Sequence, residues 1–250
     1  RDRDVTGVQT CALPISRLNK GVFIVGTDTE VGKTVVTAGL IHILRQQGVN
    51  ACSFKAVQSG GKWENAQLLD GDTLWVKKVC GIEEDYHLMN PYPLEPEVSP
   101  HLAARLEGKT IEPAKILQAY HTLQEKYDFI VAEGAGGLIT PIVDNDYFIY
   151  NLIQDLNLPV IIVSRAGLGA INHTILTLNY LQKLSIPVKG IIVNNYTGQM
   201  HEKDNIECIA NISGHKIIGV INHLENLNND PDYLNLKQEF SEKINLADII

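Results

Sequence analysis

Gly26-Thr27-Asp28-Thr29-Glu30-Val31-Gly32-Lys33-Thr34 stands between an apolar run, Val22–Val25, and a segment with helical spacing, Thr34–Gln47. A strand, a glycine-bounded loop ending in Lys-Thr, and a helix together form a phosphate-binding arrangement. Loop N–H groups and the positive end of the helix can surround phosphate oxygens. Lys33 would neutralise phosphate charge and Thr34 would ligate a magnesium ion. Glu30, Val31, Gly32, Lys33, Thr34 and Val35 are therefore expected around a nucleotide. Five residues separate Gly26 from Gly32, one more than in the common G-x-x-x-x-G-K-[ST] spacing, and a glycine-rich turn with an incidental lysine is the plain alternative.

The same rhythm continues along the chain. Ala51–Lys55, Phe129–Ala132, Val160–Val163, Gly190–Val193 and Ile217–Val220 read as further strands. Apolar runs of this kind suit parallel strands covered on both faces. Asn65–Val79, Pro113–Tyr127, Asn172–Leu184 and His201–Ile209 carry helical spacing, and Asn90–Pro100 and Asn222–Asp232 read as irregular connections. The expectation is a single α/β domain over residues 17–250, with a mostly parallel sheet, helices on both faces and the architecture of phosphate-loop NTPases. Arg1–Ser16 shows neither period and no signal-peptide core, and is read as a non-native or disordered extension.

Composition removes several function classes. A formal net charge of -8 without a lysine–arginine cluster disfavours nucleic-acid binding. The apolar runs are too short to span a membrane. Cys11, Cys52, Cys80 and Cys208 lack a zinc or disulfide spacing, which fits a reducing cytoplasm, and the eight histidines form no ligand motif.

In open α/β sheets ligands bind beyond the carboxyl ends of the strands. Phe54-Lys55-Ala56-Val57-Gln58-Ser59-Gly60, Glu133-Gly134-Ala135-Gly136-Gly137 and Leu168-Gly169-Ala170-Ile171-Asn172-His173 all follow strand signals. With Gly26–Thr34, these motifs resemble the dethiobiotin synthetase family from about Lys20 to Val220. The resemblance implies an ATP-dependent ligase in which 7,8-diaminopelargonate takes up CO2 as a carbamate, ATP phosphorylates it, and the neighbouring amine closes a ureido ring. It also implies a homodimer.

The resemblance further implies catalytic roles for Lys55 and Lys33, with Lys55 placed where the carbamate meets the γ-phosphate. Thr34, Asp72 and Glu133 would hold Mg2+, although Asp70 competes with Asp72 on residue type alone. Gly134, Ala135 and Gly136 would approach ATP through their backbone, and Asn194 and Asn195 would contact adenine. Ser59, Leu168 and Asn172 would contact the substrate. Simpler readings stay open: Ser59 as a turn serine, Asn194-Asn195 as a turn, and Asn172 as a helix N-cap. Two positions depart from the family, Ala56 where proline is usual and Asn222 in the segment that normally carries an adenine-side proline.

A nucleotide-switch ATPase of the partitioning type is the main alternative. Such proteins have an early lysine in the loop, where this chain has Asp28 and Glu30. A corrinoid amidating enzyme would need a glutaminase domain for which the chain has no room.

Overall fold

The computed structural model describes residues 21–250, so Arg1–Ser16 lies outside the described residues. Six strands form the main sheet: β1 Gly21–Gly26, β2 Ala51–Phe54, β3 Phe129–Gly137, β4 Val160–Arg165, β5 Val188–Tyr196 and β6 Ile217–Asn222. Their spatial order is β6-β5-β4-β1-β3-β2, and every neighbouring pair is parallel. The chain first moves from β1 to the β2 edge, returns through β3, and then continues on the other side of β1. This reversal leaves the carboxyl end of β1 at a topological switch point.

Burial explains the apolar runs. Val22–Val25, Ile130–Ala132, Val160–Val163 and Ile191–Val193 are all buried, because helices cover the sheet. The helices are α1 Lys33–Gln46, α2 Gly71–Cys80, α3 Tyr86–Met89, α4 Pro100–Leu106, α5 Pro113–Lys126, α6 Ile149–Leu156, α7 Ala170–Lys183, α8 Met200–Ser213 and α9 Leu234–Lys243. One continuous hydrophobic cluster joins them to the strands.

Several segments differ from the sequence-based expectation. Asn65–Val79 is not one helix. Lys62–Glu64 and Gln67–Leu69 pair as an antiparallel hairpin whose turn residues, Asn65 and Ala66, both have positive φ. Helix α2 starts only after Asp70, whose carboxylate accepts the Asp72 and Thr73 N–H groups. The Asn90–Pro100 connection is pinned by a short parallel pairing of its own: Val57 and Gln58 pair with Tyr92 and Pro93. Pro100 then opens α4, where its missing N–H costs nothing. Within Asn222–Asp232 the chain makes a 3-10 turn at Leu227–Asn229.

Candidate active site

The phosphate loop is shaped by two backbone features. Glu30 and Gly32 have φ of 53° and 89°, so the chain turns sharply before entering α1. At Gly32 a β-carbon would lie 2.0 Å from Asn194 Nδ2, an impossible contact. That close approach lets Asn194 donate to the Val31 carbonyl at 3.0 Å. Glycine is thus required at position 32 by conformation and by space. Arg165, at the end of β4, donates to the Glu30 carbonyl. Strands β4 and β5, both on the same side of β1, therefore hold the loop.

Lys33 is buried, and its Nζ donates to the Asp28 carbonyl at 3.2 Å. Burial pulls its pKa below the usual lysine value, against the raising effect of Glu133. An arriving phosphate would supply the negative charge that favours its protonated form. Thr34 opens the helix beside it, and its hydroxyl donates to Glu133 Oε1 at 2.9 Å.

Lys55 ends the β2 region, 5% exposed, with its backbone N–H bound to the Met89 carbonyl at 2.8 Å. Its ammonium contacts Asp72 Oδ2 and lies 2.8 Å from Glu133 Oε1. Burial alone would lower the Lys55 pKa, but Glu133, Asp72 and Asp70 outweigh it and hold it raised. Asp72 moves the opposite way. Its burial raises the carboxyl, yet contact with Lys55 and attraction to Lys33 keep it below the ordinary range. Lys55 and Asp72 are therefore both charged at neutral pH.

The competition between Asp70 and Asp72 resolves by geometry. Asp70 is fully buried; Oδ1 accepts from Asp72 N at 2.7 Å and Thr73 N at 3.0 Å, while Oδ2 accepts from Asn90 Nδ2 at 2.5 Å and Tyr86 Oη at 3.2 Å. Such saturation makes it an N-cap and a structural anchor. The cap turns Asp72 toward Lys55. Thr34 Oγ1 and the carboxylates of Asp72 and Glu133 form a hard-oxygen set suited to Mg2+, and the Lys55 ammonium already stands against both acids as a cation. The described residues contain no group of three or more His, Cys, Asp or Glu arranged for a metal.

Glu133 to Gly137 is not a turn after β3 but its continuation, with Gly137 paired to Gly26. Gly136 has a φ of 66°, and Thr140 Oγ1 accepts the Gly137 N–H at 3.0 Å. A cavity of about 630 Å³ opens over this edge. Glu30, Gly32, Lys33, Thr34, Lys55, Ser59, Asp72 and Glu133–Gly136 line it. Gln58, Glu97, Val98, Ser99, Pro100 and Thr140 also line it, and sequence reading did not single these out. The Ser99-Pro100 pair, a helix-start signal, was the available clue to that wall.

Other expected site residues do not enter this cavity. Val31 is buried under the loop and Val35 is half-buried in the first turn of α1. Asn194 spends its amide N–H on the loop, and Asn195 follows it with a positive φ of 59°. Leu168 and Asn172 are exposed beyond β4. The N-cap reading of Asn172 is corrected: Gly169, with φ of 87°, is the cap, so α7 begins at Ala170 and Asn172 lies inside its first turn. A left-handed glycine ends the preceding loop earlier than an Asn cap would.

A family model described as an AAA domain matches residues 20–231. The ATP-dependent dethiobiotin synthetase of Clostridium kluyveri is 47% identical over 214 residues, covering 84% of this chain and 89% of that protein. Its counterpart in Clostridium novyi (strain NT) is 41% identical over 234 residues, covering 88% and 98%. Among solved structures, a ParA family ATPase from Chlorobium tepidum TLS matches with a TM-score of 0.57 and 16% identity, covering 90% of this chain and 98% of that one. So low an identity carries the fold alone, and the switch-ATPase alternative gains nothing more from it. Taken with the motifs that meet at the cavity, these relationships assign the chain: it belongs to the dethiobiotin synthetase family of ATP-dependent ligases, built on a phosphate-loop domain.

Proposed function

We propose that the cavity converts 7,8-diaminopelargonate, CO2 and ATP into dethiobiotin, ADP and phosphate, with the buried Lys55 ammonium as its catalytic centre. The observation that carries this reading is the contact of Lys55 with both Asp72 and Glu133 beside the phosphate loop. One amine adds to CO2 and loses a proton, giving a carbamate. A carbamate oxygen attacks the γ-phosphorus and ADP leaves. The second amine then attacks the activated carbonyl carbon and gives up a proton, phosphate departs, and the ureido ring closes.

Each chain residue has a defined task in that sequence. Lys33 and the loop N–H groups bind the phosphates, and Lys55 stabilises negative charge on the carbamate and on the transferring phosphoryl group. Gly134, Ala135 and Gly136 permit close backbone approach, and Ser59 offers a hydroxyl to the carbamate. Asn194 and Asn195 lie on the adenine side. Thr34, Asp72 and Glu133 would hold Mg2+, which when bound supplies charge neutralisation at the phosphates. Lys55 must then exchange its carboxylate contacts for the substrate anions.

Leu168 and Asn172 fit this reading as residues offered to the substrate of a second subunit in a homodimer. A cytoplasmic location without nucleic-acid partners accords with the acidic charge, and no helix among the described residues is long and apolar enough to cross a membrane. The test is dethiobiotin formation, followed by mass spectrometry, with single omission of ATP, Mg2+, bicarbonate or the diamine. Product should require all four. ATP turnover independent of the diamine, without dethiobiotin, would favour the switch-ATPase reading instead.

A further inference from the structure

We propose that Glu97 is a specificity-determining residue that holds the ammonium group of the diamine substrate; the assignment rests on the function proposed above. Glu97 lines the cavity on the wall formed by the segment before α4, together with Val98 and Ser99. That wall is fixed by backbone pairing. Leu94 N–H donates to the Gln58 carbonyl at 2.8 Å, and Gly61 N–H donates back to the Leu94 carbonyl at 2.9 Å. The two segments are thus tied on both sides of Ser59.

Glu97 approaches this turn closely. Its Cγ and Cβ lie 3.5 and 3.8 Å from where a β-carbon on Gly60 would stand, and Gly60 itself has a φ of 82°. Its carboxylate therefore belongs to the same corner of the cavity as Ser59, the residue proposed to meet the carbamate.

The neighbouring acids are already occupied. Glu95 accepts from Trp63 Nε1 at 3.0 Å, and Glu107 accepts the Glu95 N–H at 2.6 Å and pairs with Lys109 at 2.5 Å. Asp72 and Glu133 are engaged by Lys55. Glu30 also lines the cavity, but from the phosphate loop. Among the described residues Glu97 forms no ion pair. An anion in the lining of a cavity that also carries Lys33 and Lys55 has an obvious complement in this substrate, whose amines are cationic before reaction. Pairing there would orient the diamine with one nitrogen toward Ser59 and Lys55, and would disfavour analogues carrying a neutral group at the paired position.

The test is calorimetric titration of 7,8-diaminopelargonate into wild type, Glu97→Gln and Glu97→Ala, at low and at raised salt, with steady-state kinetics alongside. Glutamine keeps the methylenes that brace Gly60 and removes only the charge. The expected result is about tenfold weaker diamine binding and a matching rise in its KM in Glu97→Gln, with kcat and the KM for ATP changed less than about twofold. Wild-type affinity should also fall with salt more steeply than that of the variant. Equal diamine affinity in wild type and Glu97→Gln overturns the proposal, whatever Glu97→Ala does, as does an absence of diamine binding by wild type. Failure of wild type to form dethiobiotin is a separate outcome that strikes the functional reading.

Discussion

Lys55, Asp72, Glu133 and Thr34 meet in direct contact at the carboxyl-end edge of β2 and β3, whereas Leu168 and Asn172 stand exposed past the end of β4. The first group comes from four separated stretches of sequence yet is assembled within one chain. The second is a short contiguous motif that the same chain leaves outside its cavity. Parallel strands end on one edge, so residues following β1 and β2 and a residue in the carboxyl half of β3 converge by topology. Leu168 follows β4 by three residues and points its motif beyond that edge. The phosphate half of the site is thus assembled within one chain, while under the proposed function the α7 start would meet substrate only across a second subunit.

Breaking the phosphate half should give the largest effects. Asp70→Ala removes an N-cap and leaves Asn90, Tyr86 and two N–H groups without their acceptor. Urea unfolding should show a loss of about 3 kcal/mol. Asp72→Asn should separate from it clearly: dethiobiotin formation falls about a hundredfold, with a much smaller change in the unfolding midpoint. Similar stability losses in both would erase the distinction between anchor and ligand drawn here.

Asn194→Ala gives a smaller effect. Freed of its amide contact, the Val31 carbonyl loses its hold on β5, and the KM for ATP should rise about tenfold, equivalent to roughly 1.4 kcal/mol. The other region should respond differently. Leu168→Ser should leave the KM for ATP within about twofold of wild type and raise the KM for the diamine a fewfold, about 1 kcal/mol. A loss of ATP affinity in Leu168→Ser would break the comparison, because it would join the α7 start to the phosphate half.

Stability against pH sharpens the same contrast. The Asp72 carboxyl is held below its ordinary value, so its contribution is present above the unfolded value, about 4, and is lost as pH falls through the folded one. The Lys55 pKa is raised, so its contribution is complete below the unfolded value, about 10.4, and is lost as pH rises through the folded one. Thermal melts from acid to alkaline pH should show a plateau between these limits, and Lys55→Met should lower that plateau. Leu168→Ser should leave its shape unchanged.

Much of this arrangement was legible in the sequence because its signals are local. A Val-rich run, a glycine-bounded loop and a Lys-Thr helix start each declare themselves within a few residues, and all six expected strands occur in the sheet. What escaped depends on partners far along the chain. The Asn65–Val79 stretch carries helical spacing, but Asp70 ends the preceding hairpin by binding Tyr86 and Asn90, and nothing local announces those partners. Glu97 sat in a proline-rich connection, and only the pairing of Leu94 with Gln58 brings it to the cavity. Helix α6 is short and amphipathic, and its apolar face is defined by the β3 surface it covers. Asn194 also supports a loop 163 residues away in sequence, a second task that its position at a strand end does not announce.

The central claim is that Lys55 works on the reacting anions instead of merely neutralising buried acids. It is tested most directly by dethiobiotin formation in Lys55→Ala under saturating ATP, Mg2+, bicarbonate and diamine, with ATP affinity measured on the same folded protein. The account expects turnover to fall about a thousandfold while ATP still binds within about tenfold of wild type. Dethiobiotin formed at a rate near that of wild type would contradict it.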